Sequence, residues 1–164
     1  MKLLPYVKCI YFALLGVFII SCSDDEEMQL DPWQIEVEQV KLATEQFVDF
    51  DVATQTGLID VSGYVPNMGY HYLNPAHADG VFEFEKPEII LYVPNEQNVM
   101  EMVAVEYSII PEDPENPGSP PEGFTGSEDL WHFNENVGQW QLHVWTKLGN
   151  PDGIFHPTNS AIGD

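Results

Sequence analysis

Three of the five histidines and three of the four tryptophans lie in one stretch of the chain, between Gly126 and Asn159. Within it, the run from Gln139 to Lys147 alternates in a way that is typical of a β-strand. His143 lies on the face of this strand opposite Leu142 and Val144. An imidazole in such a position is a candidate metal ligand, because neutral imidazole binds zinc, copper and iron.

A second candidate ligand is Glu106, on a predicted strand from Val99 to Ile110. Alternation places Glu106 on one face with Met100, Met102, Ala104 and Ser108, and its neighbours on both sides are apolar. A buried carboxylate needs backbone donors, a cation or a metal. The chain has no arginine and five basic residues in all, so cationic partners are scarce.

Two more histidines complete the predicted ligand set. His71 lies between two tyrosines, and His132 follows a tryptophan. The sequence predicts that His71, Glu106, His132 and His143 converge on one site for a divalent transition metal, with zinc, copper and iron as the candidates. The alternative is that each histidine is a hydrogen-bonded packing residue beside aromatic rings. His77, in a predicted loop, is assigned that role.

The surrounding pattern predicts an α+β fold. Apolar residues from Trp33 to Gly57 recur near helical spacing, which indicates one amphipathic helix that ends at Gly57. This N-terminal helix is expected to pack on an antiparallel β-sheet containing Ile89–Val93, Val99–Ile110 and Gln139–Lys147. Residues 63–75 are predicted to be irregular apart from a short strand at Tyr70–Leu73, and residues 111–123 to be a solvated loop.

The first residues resemble a lipoprotein signal peptide. Residues 1–21 have a basic head and an apolar run too short for a comfortable membrane span, and they end in Ile-Ile-Ser before Cys22. This ending resembles the bacterial lipobox, which predicts cleavage before Cys22 and a lipid anchor, including palmitate, on that cysteine. A plain secretory peptide or an uncleaved anchor is the alternative. The predicted organisation is a signal peptide over 1–21, an acidic tether over 22–31 and one globular domain over 32–164.

The acidic residues from Asp24 to Glu27 resemble the export signal of surface lipoproteins in Bacteroides-type gram-negative bacteria. The resemblance implies a protein anchored in the outer membrane and facing the cell exterior, whereas a plain solvated linker would leave its orientation open. Because Cys9 would leave with the signal peptide and Cys22 would carry lipid, no thiol remains for a metal or a disulfide.

The charge balance narrows the partners. The chain carries 27 acidic residues and a formal net charge of −22. Such a chain repels nucleic acid, and without arginine it lacks the usual two-point phosphate ligand. Nucleic acids and nucleotides are therefore excluded as expected partners, and membrane attachment is expected through the Cys22 lipid alone.

Several segments together resemble a family of exported bacterial proteins with no assigned activity. They are Gly69–Pro75 (GYHYLNP), Val105–Tyr107 (VEY), Trp131-His132 and Leu142–Phe155, which contains LHVW and NPDGIF. The resemblance covers nearly the whole predicted domain from the Lys41 region onward. The chain departs from the family's WHxH segment at Asn134, where a second histidine would stand.

Three classes of function follow from the sequence. The first is a metal-binding domain on a surface lipoprotein. The second is a metal-free binding or structural module whose aromatic residues contact glycan or protein. The third is a metal-dependent enzyme, for which the sequence singles out no catalytic residue; no Gly-x-Ser-x-Gly nucleophile motif is present.

Overall fold

The computed structural model describes residues 29–163. It combines short helices with a curled, six-stranded antiparallel sheet, so the predicted α+β class is confirmed at this level. The elements are α1 Pro32–Ala43, a 3₁₀ turn Glu45–Phe47, α2 Phe50–Gln55, β1 Ile59–Val65, β2 Gly69–Leu73, β3 Ile89–Pro94, β4 Met100–Ile109, β5 His132–Asn134 and β6 Gln139–Val144. The strands lie in the order β1-β2-β3-β4-β6-β5. The predicted signal peptide, Cys22 and most of the tether lie outside the described residues.

The single helix predicted from Trp33 to Gly57 is wrong, because the chain forms two helices joined by the 3₁₀ turn. At the end of α1 the Thr44 hydroxyl donates to the Val40 carbonyl at 2.7 Å. At the start of α2 the Asp49 carboxylate accepts from the Val52 amide at 3.1 Å. Such local bonds compete with a continuous helix and define new ends, and apolar spacing alone does not reveal them.

The helices cover one face of the sheet. Phe47 is buried, and its carbonyl accepts a hydrogen bond of 2.7 Å from the Tyr92 hydroxyl of β3. Helical and sheet side chains form one buried cluster, which includes Val37, Val40, Phe47, Ala53, Ile90, Tyr92, Val105, Tyr107, Leu142 and Val144. The main core therefore lies between the helices and this face.

The opposite face is covered only in part, by the C-terminal segment. Trp145 donates from its indole nitrogen to the His156 carbonyl at 2.7 Å, and its amide donates to the Ile154 carbonyl at 2.9 Å. Leu148 and Ile162 pack there against a second, smaller buried cluster that includes Ile89, Leu91 and Ala104. The remainder of this face carries the predicted ligands.

A β-bulge in β4 corrects the predicted face of that strand. Leu91 pairs with Ala104 while the next residue of β3, Tyr92, pairs with Met102, so Val103 is the additional residue. Met102 consequently belongs to the helix-side cluster. Glu106 remains on the opposite face, where strict alternation from Ala104 onward places it.

Two strands were missed in the sequence, and one was predicted too long. β1 includes part of the region predicted to be irregular, and β5 has three residues. β1 is an edge strand with mostly exposed residues and an interrupted register, so it lacks the alternation of a half-buried strand. β6 ends at Val144 rather than Lys147 because the chain turns there to pair Trp145 with Ile154.

Candidate metal site

Three of the four predicted ligands meet on the face of the sheet away from the helices. Glu106 of β4 and His143 of β6 are direct cross-strand partners. His71 of β2 lies on the far side of β3, and its side chain reaches past that strand to Glu106. One ligand atom from each of these three residues lies within 4.8 Å of the other two.

Two separations within this group match the edges of a tetrahedral metal coordination sphere. Oε2 of Glu106 lies 3.3 Å from Nε2 of His71 and 3.5 Å from Nε2 of His143. A tetrahedral metal with bonds of about 2.0–2.1 Å holds its ligand atoms about 3.3 Å apart. Charge-assisted hydrogen bonds are shorter, about 2.7–2.9 Å. In agreement with this, neither oxygen of Glu106 has a hydrogen-bond partner among the described residues.

A bulge in β1 brings a serine to His71. Asp60 of β1 pairs with Tyr72 of β2 and Tyr64 with Tyr70, so β1 advances by four residues while β2 advances by two. The Asp60 carboxylate accepts hydrogen bonds from the amides of Ser62 and Gly63 within this bulge. The bulge places the Ser62 hydroxyl 3.0 Å from Nδ1 of His71.

This contact sets the tautomer of His71. The Ser62 hydroxyl donates to the Gly63 carbonyl at 2.6 Å and accepts from the His71 amide at 3.1 Å. Its proton is therefore committed to Gly63, and Nδ1 of His71 acts as the donor to Ser62. Nε2 then carries the lone pair on the side of Glu106, which is the form of histidine that binds a metal with a second residue fixing the ring.

His143 is held by ring stacking. Its imidazole stacks on His132 on one side and on Trp145 on the other, with centroid distances of 6.0 and 6.2 Å and interplanar angles of 15°. Both ring nitrogens of His143 are buried and have no hydrogen-bond partner in the described part of the chain. The stacking fixes the plane of the ring and leaves Nε2 available as a ligand.

His132 lies beside this group rather than within it. It is half-buried on β5, and the three residues whose ligand atoms converge are His71, Glu106 and His143. Nδ1 of His132 is buried without a partner among residues 29–163. The structure therefore brings three predicted ligands together and places the fourth as their neighbour.

Burial disfavours the charged form of every proposed ligand. Glu106 is fully buried, and desolvation raises its pKa to about 8, with a further contribution from the Glu88 carboxylate. Burial lowers the pKa of His71 to about 4, and it holds the pKa of His143 well below its usual range, with His71 and His132 adding to the effect. In the metal-free protein at pH 7, the contacts of Glu106 with both histidines are thus contacts between neutral groups rather than ion pairs.

No lysine in the described part of the chain supplies a positive charge to this site. Lys41 pairs with Glu38, Lys86 with Glu83 and Lys147 with Glu45. The remaining histidines also bond elsewhere, with Nδ1 of His77 at 2.9 Å from the Pro87 carbonyl and Nδ1 of His156 at 2.8 Å from that of Thr158. Within the described residues, a charged Glu106 would therefore have only the two neighbouring imidazoles as cationic partners.

A cavity of about 510 Å³ borders two of the three proposed ligands, His71 and His143. His71, His132 and His143 lie on its wall, together with the polar side chains of Asn134 and Gln141. Apolar residues from both edges of the sheet complete it, among them Val61, Met68, Leu73, Ile110 and Val137. A metal held by three side chains would therefore keep a coordination position facing a space large enough for a small molecule.

Ser62 and the cavity were not predicted from the sequence. The Asp-x-Ser-Gly run at residues 60–63 contains the glycine, with φ of 65°, that the bulge uses, but nothing in it indicates His71 as a partner.

Comparison of the chain with protein-family models, curated proteins and solved structures finds no match. The resemblance to the family of exported proteins therefore stays a prediction.

Proposed function

We propose that this protein binds one divalent transition metal through His71, Glu106 and His143. The observation that carries the proposal is the pair of separations of 3.3 and 3.5 Å from Glu106 to the two imidazole nitrogens, combined with complete burial and no hydrogen-bond partner for the carboxylate in the described residues. A metal would satisfy the carboxylate and both nitrogens at once.

Zinc is the first candidate because two imidazoles, one carboxylate and an open position form one of its common ligand sets. Copper and iron accept the same ligands, and no cysteine lies among residues 29–163. A metal-free module is the competing class. It would have to retain the buried carboxyl of Glu106 and both ring nitrogens of His143 without a hydrogen-bond partner in residues 29–163, which is costly.

A metal-dependent enzyme is the second candidate function. It is favoured by His132, a neutral imidazole on the wall of the same cavity and stacked on the ligand His143. Burial lowers the pKa of His132, so at neutral pH it can accept a proton, as a general base beside a metal-bound water would. Metal binding without turnover remains the function that the geometry supports best.

Calorimetric titration of metal-stripped protein with zinc tests the proposal. We expect one zinc per chain, and zinc at 100 to 1,000 times its dissociation constant should stabilise the fold by about 3–4 kcal/mol, because the unfolded chain offers no assembled site. The same titration with copper ranks the metals. Absence of both heat and thermal shift with either metal would leave the histidines as packing residues.

We further propose that the domain is exported and tethered through a lipid on Cys22, as the lipobox-like ending at Ser21 and the acidic tether indicate. In residues 29–163, no helix has the length and apolar character needed to cross a membrane. Outer-membrane attachment and outward orientation follow only from the sequence resemblance.

Replacing Cys22 with serine should release the full-length protein from membranes, because the acylated thiol would be lost. Fractionation of cells producing wild type and variant measures this, with Cys9→Ser as the matched control, since that residue would leave with the signal peptide. A Cys22→Ser protein that still sediments with membranes would contradict the lipid anchor.

A further inference from the structure

The cavity above the three ligands differs in character from the rest of this acidic protein. Among the described residues that line it, none is an aspartate, glutamate or lysine, and the titratable side chains are the three histidines. The cavity wall thus carries no carboxylate and no ammonium group from the described residues, within a chain of net charge −22.

The rim of the cavity is apolar and exposed. Ile110 is 61% exposed, Val137 55% and Val61 52%, and all three line the opening. Exposed apolar side chains around a concave site favour a partner with an apolar body. The volume of about 510 Å³ is within the usual range of small-molecule sites, about 300–1,000 Å³.

The net charge of the metal-loaded site indicates what charge the coordinating atom of such a partner should carry. A divalent metal with two neutral imidazoles and one carboxylate has a local charge of +1, and in an apolar cavity one anionic donor atom would neutralise it. The protein as a whole, however, repels molecules that arrive as anions. A molecule that approaches neutral and loses one proton at the metal meets both conditions.

We infer that this cavity takes a small, mostly apolar weak acid that arrives neutral and coordinates the metal as its anion. This inference rests on the proposed metal site. In the binding step, the O–H or S–H bond of the molecule breaks, its proton passes to solvent, and the oxygen or sulfur bonds to the metal in place of water. Asn134 and Gln141, whose side-chain amides are hydrogen-bonded to each other at 2.9 Å, lie on the wall of the same cavity.

Cobalt-loaded protein separates this inference from the metal site itself. The visible absorption of bound cobalt reports metal binding, and a failure to bind cobalt or zinc would overturn the proposed function. With cobalt bound, benzohydroxamic acid should change the spectrum saturably and release about one proton per chain, as measured by calorimetry in buffers of different ionisation enthalpy. Benzamide and benzoate should bind at least tenfold more weakly.

Two exposed valines provide the matched variants. Val137 lies at the cavity rim in the turn between β5 and β6, and Val99 lies in the turn before β4 with almost the same exposure, 56%. Val137→Asp should weaken benzohydroxamic acid about tenfold and leave cobalt binding unchanged, whereas Val99→Asp should change neither. The inference would be overturned if benzohydroxamic acid left the cobalt spectrum unchanged or if benzoate bound as tightly as benzohydroxamic acid. It would also be overturned if Val137→Asp and Val99→Asp had equal effects on the binding of benzohydroxamic acid.

Discussion

Replacing His143 with alanine is expected to weaken zinc binding by roughly a hundredfold or more. Loss of an outer-shell partner alone costs about 10–100-fold in metal affinity, and His143 is a proposed direct ligand whose Nε2 lies 3.5 Å from Glu106. Two side chains, His71 and Glu106, would remain, and two ligands hold a metal far less tightly than three. Titration of metal-stripped wild type and variant measures the difference.

His77→Ala is the matched control for that experiment. His77 bonds to the Pro87 carbonyl outside the ligand group, so its loss should leave zinc affinity within about twofold if the site is as proposed. A thermal melt of each metal-free variant shows that it is folded. Equal zinc affinity for wild type and His143→Ala would place the metal elsewhere.

The second large effect is a reversal of stability at Glu106. Without metal, Glu106→Gln should be more stable than wild type above pH 8, because glutamine removes a carboxylate that must ionise in a buried position and retains the shape of the side chain. With saturating zinc the order should reverse, because the variant lacks one proposed ligand. A glutamate that only packs in the core would not give this reversal, because zinc would not change the relative stability of wild type and Glu106→Gln.

The sign of the pH dependence follows from the raised pKa of Glu106. The folded protein keeps the proton up to about pH 8, whereas the unfolded chain releases it near 4.5. Between these values the folded state binds more protons, so the free energy of unfolding falls as the pH rises. The histidines act in the opposite direction only below about 6.5, where the unfolded chain takes up their protons.

Between pH 6.5 and 8.5, metal-free wild type should therefore lose about 2 kcal/mol more stability than Glu106→Gln. Glu88, whose pKa burial raises to about 7, contributes to both proteins alike. Urea unfolding at several pH values measures the difference, and Glu101→Gln, an exposed position on the same strand, is the control. Parallel pH profiles for wild type and Glu106→Gln would contradict a buried, neutral Glu106.

The proposed ligands are accessible from the sequence because their signal is local. His143 and Glu106 are polar residues within alternating strands, and the chain has few cations to pair with a buried acid. This local pattern was sufficient to select them. Their mutual distance was not predictable, because it depends on the pairing of β4 with β6 and on the curl of the sheet.

Other features depend on irregularities that a periodic pattern cannot show. The contact between Ser62 and His71 exists because β1 contains a bulge, and Met102 changes face because β4 contains another. The helical region divides where Thr44 and Asp49 form local hydrogen bonds with the backbone. In each case a hydrogen bond or an additional residue overrides the apolar spacing from which the prediction was made.

Anomalous X-ray diffraction at the zinc absorption edge, from crystals of the zinc-loaded protein, tests the metal site most directly. The account predicts one strong peak about 2.0–2.2 Å from Nε2 of His71, Nε2 of His143 and an oxygen of Glu106. His77 and His156 should show no peak. A fully loaded protein whose zinc lies on those histidines or on surface carboxylates, with none among the three proposed ligands, would contradict it.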